Sequence, residues 1–475
     1  MTAKETAAGQ GAPAGADSMD GREFVFAAPD HLAVEAGDFV TLNEGGGRRH
    51  IGQIYELAEA SGGQVRCRGK ILGVVRTDGG FESRRSYPFR GATVATADAE
   101  AIELVYAAAG ATLHVGSFMD AADIRARLMP HRFNRHTFWC GQSGSGKTYA
   151  LGVLLEQLLI TTRLPMVIFD PNADFVRMRE AHPHAEGAGR DQQALAERDI
   201  RILRPGAPDP GGLYVRFTDL PMPAKAAVLH LDPLVDRTEY NELLHLEETL
   251  GSQDASVIVP TLRSRGDAAA MALAARVENL RLIDWGVWAM GHRAVTDILD
   301  TRPDATVLDL GGFAFPDEYL VVAMAVLDDL WAKREQRRPI LLVIDEAHNL
   351  CSPDHDTPLH TAVRERIIQI AAEGRKFGLW LLLSTQRPSR IHPSIISQCD
   401  NLALMKMSST LDLQELGTIF GYAPGAMLNR SPTFKQGEAL FAGGFVPAPS
   451  LIRLGGRLTR EGGSDVAVPL RQARP

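Results

Sequence analysis

Gly141-Gln142-Ser143-Gly144-Ser145-Gly146-Lys147-Thr148 is the stretch on which the reading of this chain turns. It fits G-x-x-x-x-G-K-[ST], a spacing with a physical purpose. The glycines let backbone N–H groups turn inward around a phosphate, and the helix that follows presents its positive end. Lys147 is placed for the β/γ-phosphates of a nucleotide, and the Thr148 hydroxyl for Mg²⁺. The flanks agree with this. An apolar run ends at Cys140, and Leu151, Leu154, Leu155, Leu158 and Leu159 then share one helical face. Strand, glycine loop and amphipathic helix together predict ATP and Mg²⁺ as cofactors.

A second stretch supplies the acids. Ile340-Leu341-Leu342-Val343-Ile344 is a fully apolar strand tipped by Asp345-Glu346. Asp345 is expected to orient Mg²⁺, and Glu346 to polarise the attacking water. A Glu directly after the Asp favours hydrolysis over transfer to a bound acceptor. Asp345-Glu346-Ala347-His348 also spells the motif of two-lobed helicases, but too little chain follows Glu346 for a second nucleotide-clasping lobe. No N-K-x-D or T-K-x-D guanine reader occurs. Ser61-Gly62-Gly63-Gln64, part of a transporter-ATPase signature, lies upstream of the glycine loop where that signature does not belong, and reads as a turn.

Outward from these two strands the pattern is α/β. Met166–Phe169 is a buried strand ending at Asp170, Ile200–Leu203, Leu213–Phe217 and Val307–Leu310 are further strands, and Leu379–Leu383 runs into Ser384-Thr385-Gln386-Arg387-Pro388. The stretch 222–300 reads as a helical insertion within a core spanning 106–455. Residues 1–20 are Ala, Gly and polar and are expected to be disordered. Short β-type runs with glycine turns predict a small β-barrel over 21–105, and 456–475 reads as a tail.

Composition narrows the function further. The chain has 475 residues, 45% hydrophobic and 23% charged, and a net charge of −8. That balance excludes a basic nucleic-acid coat protein. The four cysteines form no C-x-x-C, which fits a reducing compartment. No secretory leader is read, and the longest apolar runs, such as Tyr319–Leu327, fall well short of the roughly 20 residues of a membrane span. A cytoplasmic protein with no membrane segment is expected.

Taken in order, these stretches resemble the HerA branch of the HerA/FtsK superfamily of DNA-pumping ATPases. The resemblance runs over about residues 22–460. It is carried by the β-rich N-terminal region, Leu113-His114-Val115-Gly116, Gly141–Thr148, Asp170-Pro171-Asn172-Ala173-Asp174-Phe175, Ile344–His348, Glu373–Gly378, Ser384–Pro388 and Gln436-Gly437-Glu438-Ala439. It implies a RecA-like P-loop NTPase core with an N-terminal HAS-type β-barrel. It also implies a homo-hexameric ring that moves double-stranded DNA, and a separate nuclease or antiviral effector as partner. By the same resemblance Lys147 and Thr148 are nucleotide and Mg²⁺ ligands, Asp345 and Glu346 the acidic pair, Gln386 the sensor and Asp170 an acid near the site. Arg375 matches the arginine finger given across a subunit boundary. One departure is Cys351–His360 (CSPDHDTPLH), at the family's pore-loop position, which carries two Asp and two His and no Lys or Arg. Candidate DNA contacts are Arg263 and Arg265, in a loop-like Pro260–Gly266 stretch, and Arg387 and Arg390.

Overall fold

The computed structural model describes residues 14–29, 32–59, 65–83, 87–183, 189–250 and 255–463, with 247–250 described for the backbone alone. The turn expected at Ser61–Gln64 and the end of the tail lie outside the described residues. The chain divides into two units, Met1–Arg132 with Asn401–Gly455, and Phe133–Asp400 with Gly456–Pro475. The expected core of 106–455 is therefore too wide at both ends: 106–132 and 401–455 belong with the N-terminal unit.

The unit that carries the glycine loop is built on six parallel strands: β1 (His136–Cys140), β2 (Met166–Asp170), β3 (Ile200–Leu203), β4 (Ala305–Asp309), β5 (Ile340–Ile344) and β6 (Leu379–Thr385). Their order is β3-β4-β2-β5-β6-β1. Every residue of β1, β2 and β5 is buried, as a sheet covered on both faces requires. Nearly all-apolar Glu318–Ala332 and the amphipathic Pro358–Glu373 pack against each other. Leu213–Phe217, expected as a strand, makes a single isolated bridge, Val215 to Trp288, before a 3₁₀ turn at Phe217–Asp219. The insertion is helical: Met222–Val228, Arg237–Leu250, Ile258–Arg265, Ala268–Asn279 and Val295–Asp300.

The sheet order matters for chemistry. Ligands of such sheets meet the carboxyl ends of the strands. Here four neighbours, β2, β5, β6 and β1, end at Asp170, at Ile344 just before Asp345, at Thr385, and at Cys140 just before the glycine loop.

The other unit contains a closed six-stranded antiparallel barrel. Its strands run Glu23–Ala28, Gly15–Ser18, Phe89–Thr96, Phe39–Asn43, Arg49–Glu59 and Val65–Val75, and the last pairs back to the first. Gly15–Ser18 corrects the expectation of disorder up to residue 20. Ala16 and Ser18 are buried, and Ser18 Oγ donates to Glu23 O at 2.6 Å. Small residues suffice here because the strand closes the barrel with backbone bonds and needs little side-chain volume. Five strands form an antiparallel ladder in the order Cys399–Leu404, Glu438–Gly443, Ser450–Leu454, Leu113–Phe118 and Arg125–Leu128. Among the described residues no helix is long and apolar enough to cross a membrane.

His136 shows how tightly the parallel sheet is sealed. Its Nε2 donates to Ala371 O at 3.0 Å, and its Nδ1 accepts from Leu381 N at 2.9 Å, so the ring joins β6 to the helix Pro358–Glu373. Burial first, then nearby Arg375 and Arg135, push its pKa from 6.5 down to about 4. Unfolded His136 takes up a proton that the folded ring refuses. Its stabilisation is therefore complete above about pH 6.5 and is lost as pH falls toward 4, about 3 kcal/mol over the window. Thermal unfolding midpoints of the wild type and His136→Gln should converge as pH is lowered from 7 to 4.5; a constant gap would contradict a neutral buried ring.

Candidate active site

The glycine loop is held in shape by its own backbone. Gly144 and Gly146 lie at φ 76° and 81°, the left-handed region that glycine enters at no steric cost. Gly146 caps the helix Lys147–Thr161. No atom lies within 4 Å of where a Gly144 side chain would start, so the loop is open on that side. The first-turn N–H groups of the helix carry partial positive charge toward it.

Lys147 is buried, and its ammonium is the hub of the site. Nζ lies 2.9 Å from Asp345 Oδ1, 2.9 Å from Ser384 Oγ and 3.1 Å from Glu346 Oε1. Burial alone would lower the Lys147 pKa, but Asp345 and Glu346 outweigh it and hold the group above its ordinary value. The site therefore contains a firmly charged cation between two buried acids.

Glu346 is aimed by strained backbone. Its φ of 42° is left-handed, at a cost of about 1–3 kcal/mol for a residue other than glycine. Neighbouring backbone bonds enforce it: Asp345 N donates to Phe169 O at 3.1 Å, and Ala347 N to Ser384 O at 2.8 Å. Gln386 Nε2 donates to Glu346 Oε1 at 2.6 Å. Asp345 Oδ2, Glu346 Oε2 and Ser145 Oγ are buried with no hydrogen-bond partner. The unsatisfied Asp345 Oδ2 is a hard oxygen donor of the kind that suits Mg²⁺.

Asp170 ends β2 fully buried. It accepts from Asp174 N at 2.9 Å and Phe175 N at 2.8 Å, folding the Asp170–Phe175 loop onto its own carboxylate. Burial, with Asp174 and Asp345 adding repulsion, raises its pKa to about 7, and Asp174 rises to about 6 mainly for the same reason. Arg375 does not join this group. It sits in the 3₁₀ turn Gly374–Phe377, at the opposite end of β6, and Nη1 donates to Asp400 Oδ2 at 2.7 Å. The seven residues of β6 put roughly 20 Å between Arg375 and the site of its own subunit.

The candidate DNA contacts are dispersed. Pro260–Gly266 is not a loop. The helix Ile258–Arg265 runs through it and is capped by Gly266. Arg263 pairs with Glu278 at 2.6 Å, and Arg265 with Glu242 at 3.3 Å. Arg390 pairs with Asp354, and Arg387 is exposed. Within Cys351–His360 the rings of His355 and His360 stack at 4.7 Å, and Arg364 donates to Ser352 O and His355 O at 3.1 and 3.0 Å.

The family described as "Helicase HerA, central domain" matches residues 113–263. The chain is 22% identical over 439 residues to a probable helicase, MJ1565, of Methanocaldococcus jannaschii, covering 88% of this chain and 81% of that one. Over 128 residues it is 34% identical to the DNA double-strand break repair helicase HerA of Sulfurisphaera tokodaii, covering 27% of this chain and 25% of that one. Among solved structures, the bacterial conjugative coupling protein TrwBdeltaN70 shares the fold with a TM-score of 0.50 at 14% identity, over 74% of this chain and 90% of that one.

Three contributors escape the sequence reading. Ser384, one residue inside the strand end, is a direct partner of Lys147. His348 lies beside Glu346, with Nδ1 3.3 Å from Oε2. The third is a clasp. Glu156, on the helix after the glycine loop, accepts from Leu458 N at 2.7 Å, from Thr459 N at 3.0 Å, from the Thr459 hydroxyl and from Arg457 Nε at 3.3 Å. Arg457 is fully buried, and a side chain at Gly152 would begin 2.6 Å from its Nε. Part of the expected tail is therefore docked on the helix that starts at Lys147. The available signal was a glycine and an acid four positions apart, Gly152 and Glu156, which share a side of the helix away from the centre of the leucine face.

Proposed function

We propose, from its similarity to the HerA central domain over residues 113–263 and to probable helicases, that this chain is a HerA-like P-loop NTPase: a Mg²⁺-dependent ATPase that assembles as a homo-hexameric ring and translocates double-stranded DNA, alongside a separate nuclease or defence effector. The observation that carries the reading is the convergence of Lys147, Asp345, Glu346, Ser384 and Gln386, all linked at 2.6–3.1 Å. In the roles proposed, Lys147 turns from the acids to the β/γ-phosphates. Thr148 and Asp345 hold Mg²⁺, whose charge when bound offsets that of the phosphates. Glu346 polarises the attacking water, and Gln386 orients Glu346. Lys147→Ala should then lose nucleotide binding or turnover. Glu346→Gln should bind ATP and stall, because Asp345 is untouched while the water loses its base. Wild-type turnover in Glu346→Gln would remove that residue from the mechanism.

Arg375 is proposed as a finger acting on the neighbouring subunit, since its distance from its own site excludes it there. Arginine fingers contribute roughly 10³–10⁵ in rate, so Arg375→Ala should bind ATP and turn over almost none. Mixing Arg375→Ala with Lys147→Ala subunits should restore part of the activity, because one kind of interface in the mixed ring is intact. A fully active Arg375→Ala, or a monomeric mass at working concentration, would count against the ring.

A second reading has its own support. Three of the four candidate DNA-contacting arginines are engaged by acids, which favours an ATP-gated ring that regulates an effector with little translocation. The readings separate on DNA. With a net charge of −8, a translocating ring must confine DNA to its channel, and affinity there should fall steeply with salt. DNA-stimulated ATPase at low salt, weakened by changing Arg263 and Arg265 together to Ala, is expected of the motor. Absence of DNA binding even at low salt would promote the effector-scaffold reading.

A further inference from the structure

The two oxygens of Glu346 are unequally held. Oε1 receives Gln386 Nε2 at 2.6 Å and lies 3.1 Å from the Lys147 ammonium, whereas Oε2 is buried with no hydrogen bond. If Lys147 serves nucleotide phosphates, as the ATPase reading on which this inference rests requires, it must leave Oε1. A carboxylate with one remaining donor can pivot about that bond. The side chain of a water-polarising base needs a second point of support.

His348 stands at that second point. It lies on the first turn of the short helix His348–Cys351, directly after the strained Glu346-Ala347 corner. Its Nδ1 is 3.3 Å from Glu346 Oε2 and 3.2 Å from Thr385 Oγ1. Thr385 Oγ1 in turn accepts from Arg387 N at 3.0 Å, so its position is set by the backbone leaving β6. A hydroxyl oxygen has two acceptor sites, one for Arg387 N and one for the ring N–H of the Nδ1-protonated tautomer; Nδ1 has only this one hydrogen, and Oε2 receives no bond from it here. The imidazole is thus gripped by the end of β6 while it faces a carboxylate at the end of β5. Burial lowers the His348 pKa against the pull of Glu346, so the ring contributes an N–H donor rather than a fixed charge at neutral pH.

We propose that His348 is a positioning residue for the proposed hydrolysis: its single Nδ1–H, shared between Thr385 Oγ1 and Glu346 Oε2 as a three-centre bond once Lys147 leaves the carboxylate, supports Oε2 while Gln386 holds Oε1, fixing the water-polarising carboxylate from both sides. The role belongs to one nitrogen of the ring, which makes it separable from packing. Asn carries an amide group near the position of Nδ1, whereas Gln places its amide nearer that of Nε2.

The test is steady-state ATP hydrolysis with Mg²⁺ by the full chain, together with ADP affinity and the thermal midpoint of each variant. His348→Ala is expected to lower kcat about 10–100-fold, the usual effect of removing a group that orients a reacting one, with KM for ATP and ADP affinity within about twofold. His348→Asn should recover most of kcat and His348→Gln should not. Thr385→Val should lower kcat in the same direction, and Thr385→Ser restore it. Wild-type kcat in His348→Ala, equal activity of the Asn and Gln variants, or a loss of ADP affinity matching the loss of kcat would each overturn the inference while leaving the ATPase reading intact. A wild-type chain that binds ATP with Mg²⁺ but never hydrolyses it would sink the ATPase reading, and this inference with it.

Discussion

One buried cation organises the catalytic end of this protein. The Lys147 ammonium lies between Asp345 and Glu346 and against Ser384, where water is largely excluded. Leaving two carboxylates at that depth without a counter-charge would be costly. The arrangement is satisfied but not saturated, since Asp345 Oδ2 and Glu346 Oε2 remain without partners. A site in this state has acceptors for a divalent cation and an ammonium able to exchange its carboxylate partners for phosphates. The balance also requires β5 and β6 to be neighbours, because Asp345 and Ser384 must reach one nitrogen together.

Backbone geometry supplies the precision that the ion pairs alone lack. The left-handed turn at Glu346 is strained, and it is held by the Ala347–Ser384 backbone bond, which links the end of β5 to the end of β6. Across the loop, Asp170 uses both carboxylate oxygens on the backbone of Asp174 and Phe175. Glu156 and Arg457 fasten the segment after Gly455 to the helix that begins at Lys147. Separate parts of the chain thus fix the strand ends at Asp170, Asp345 and Ser384 and the helix that follows the glycine loop. Arg375, by contrast, sits at the far end of β6, paired with Asp400.

Much of this was legible in the chain itself. Gly141–Thr148 had to form a loop between strand and helix, because its glycines, the apolar run before it and the leucine face after it are all local signals. Ile340–Glu346 had to be a buried strand with acids at its tip for the same reason. The helical character of 222–300 and the β-rich start also followed from periodicity and turn residues. Local signals failed where pairing replaces burial. Gly15–Ser18 has almost no apolar volume, yet it closes a barrel through backbone bonds. Arg263 and Arg265, beside a proline and a glycine, look like loop residues but end a helix and face Glu278 and Glu242.

The sequence by itself determined the pieces: a phosphate-type loop, an acidic strand tip, a polar strand end at Ser384–Gln386, and a small β-rich unit ahead of an α/β core. These are set by residues within a few positions of one another, whose backbone preferences and apolar periodicity do not depend on the rest of the chain. Only the tertiary structure decided that β6 lies between β5 and β1, that Ser384 and not only the acids meets Lys147, that His348 faces Glu346, and that residues 457–459 close onto Glu156. Those contacts join residues far apart in the chain. They arise from the strand order and from the need to satisfy buried charges, and neither leaves a mark in any short window of sequence.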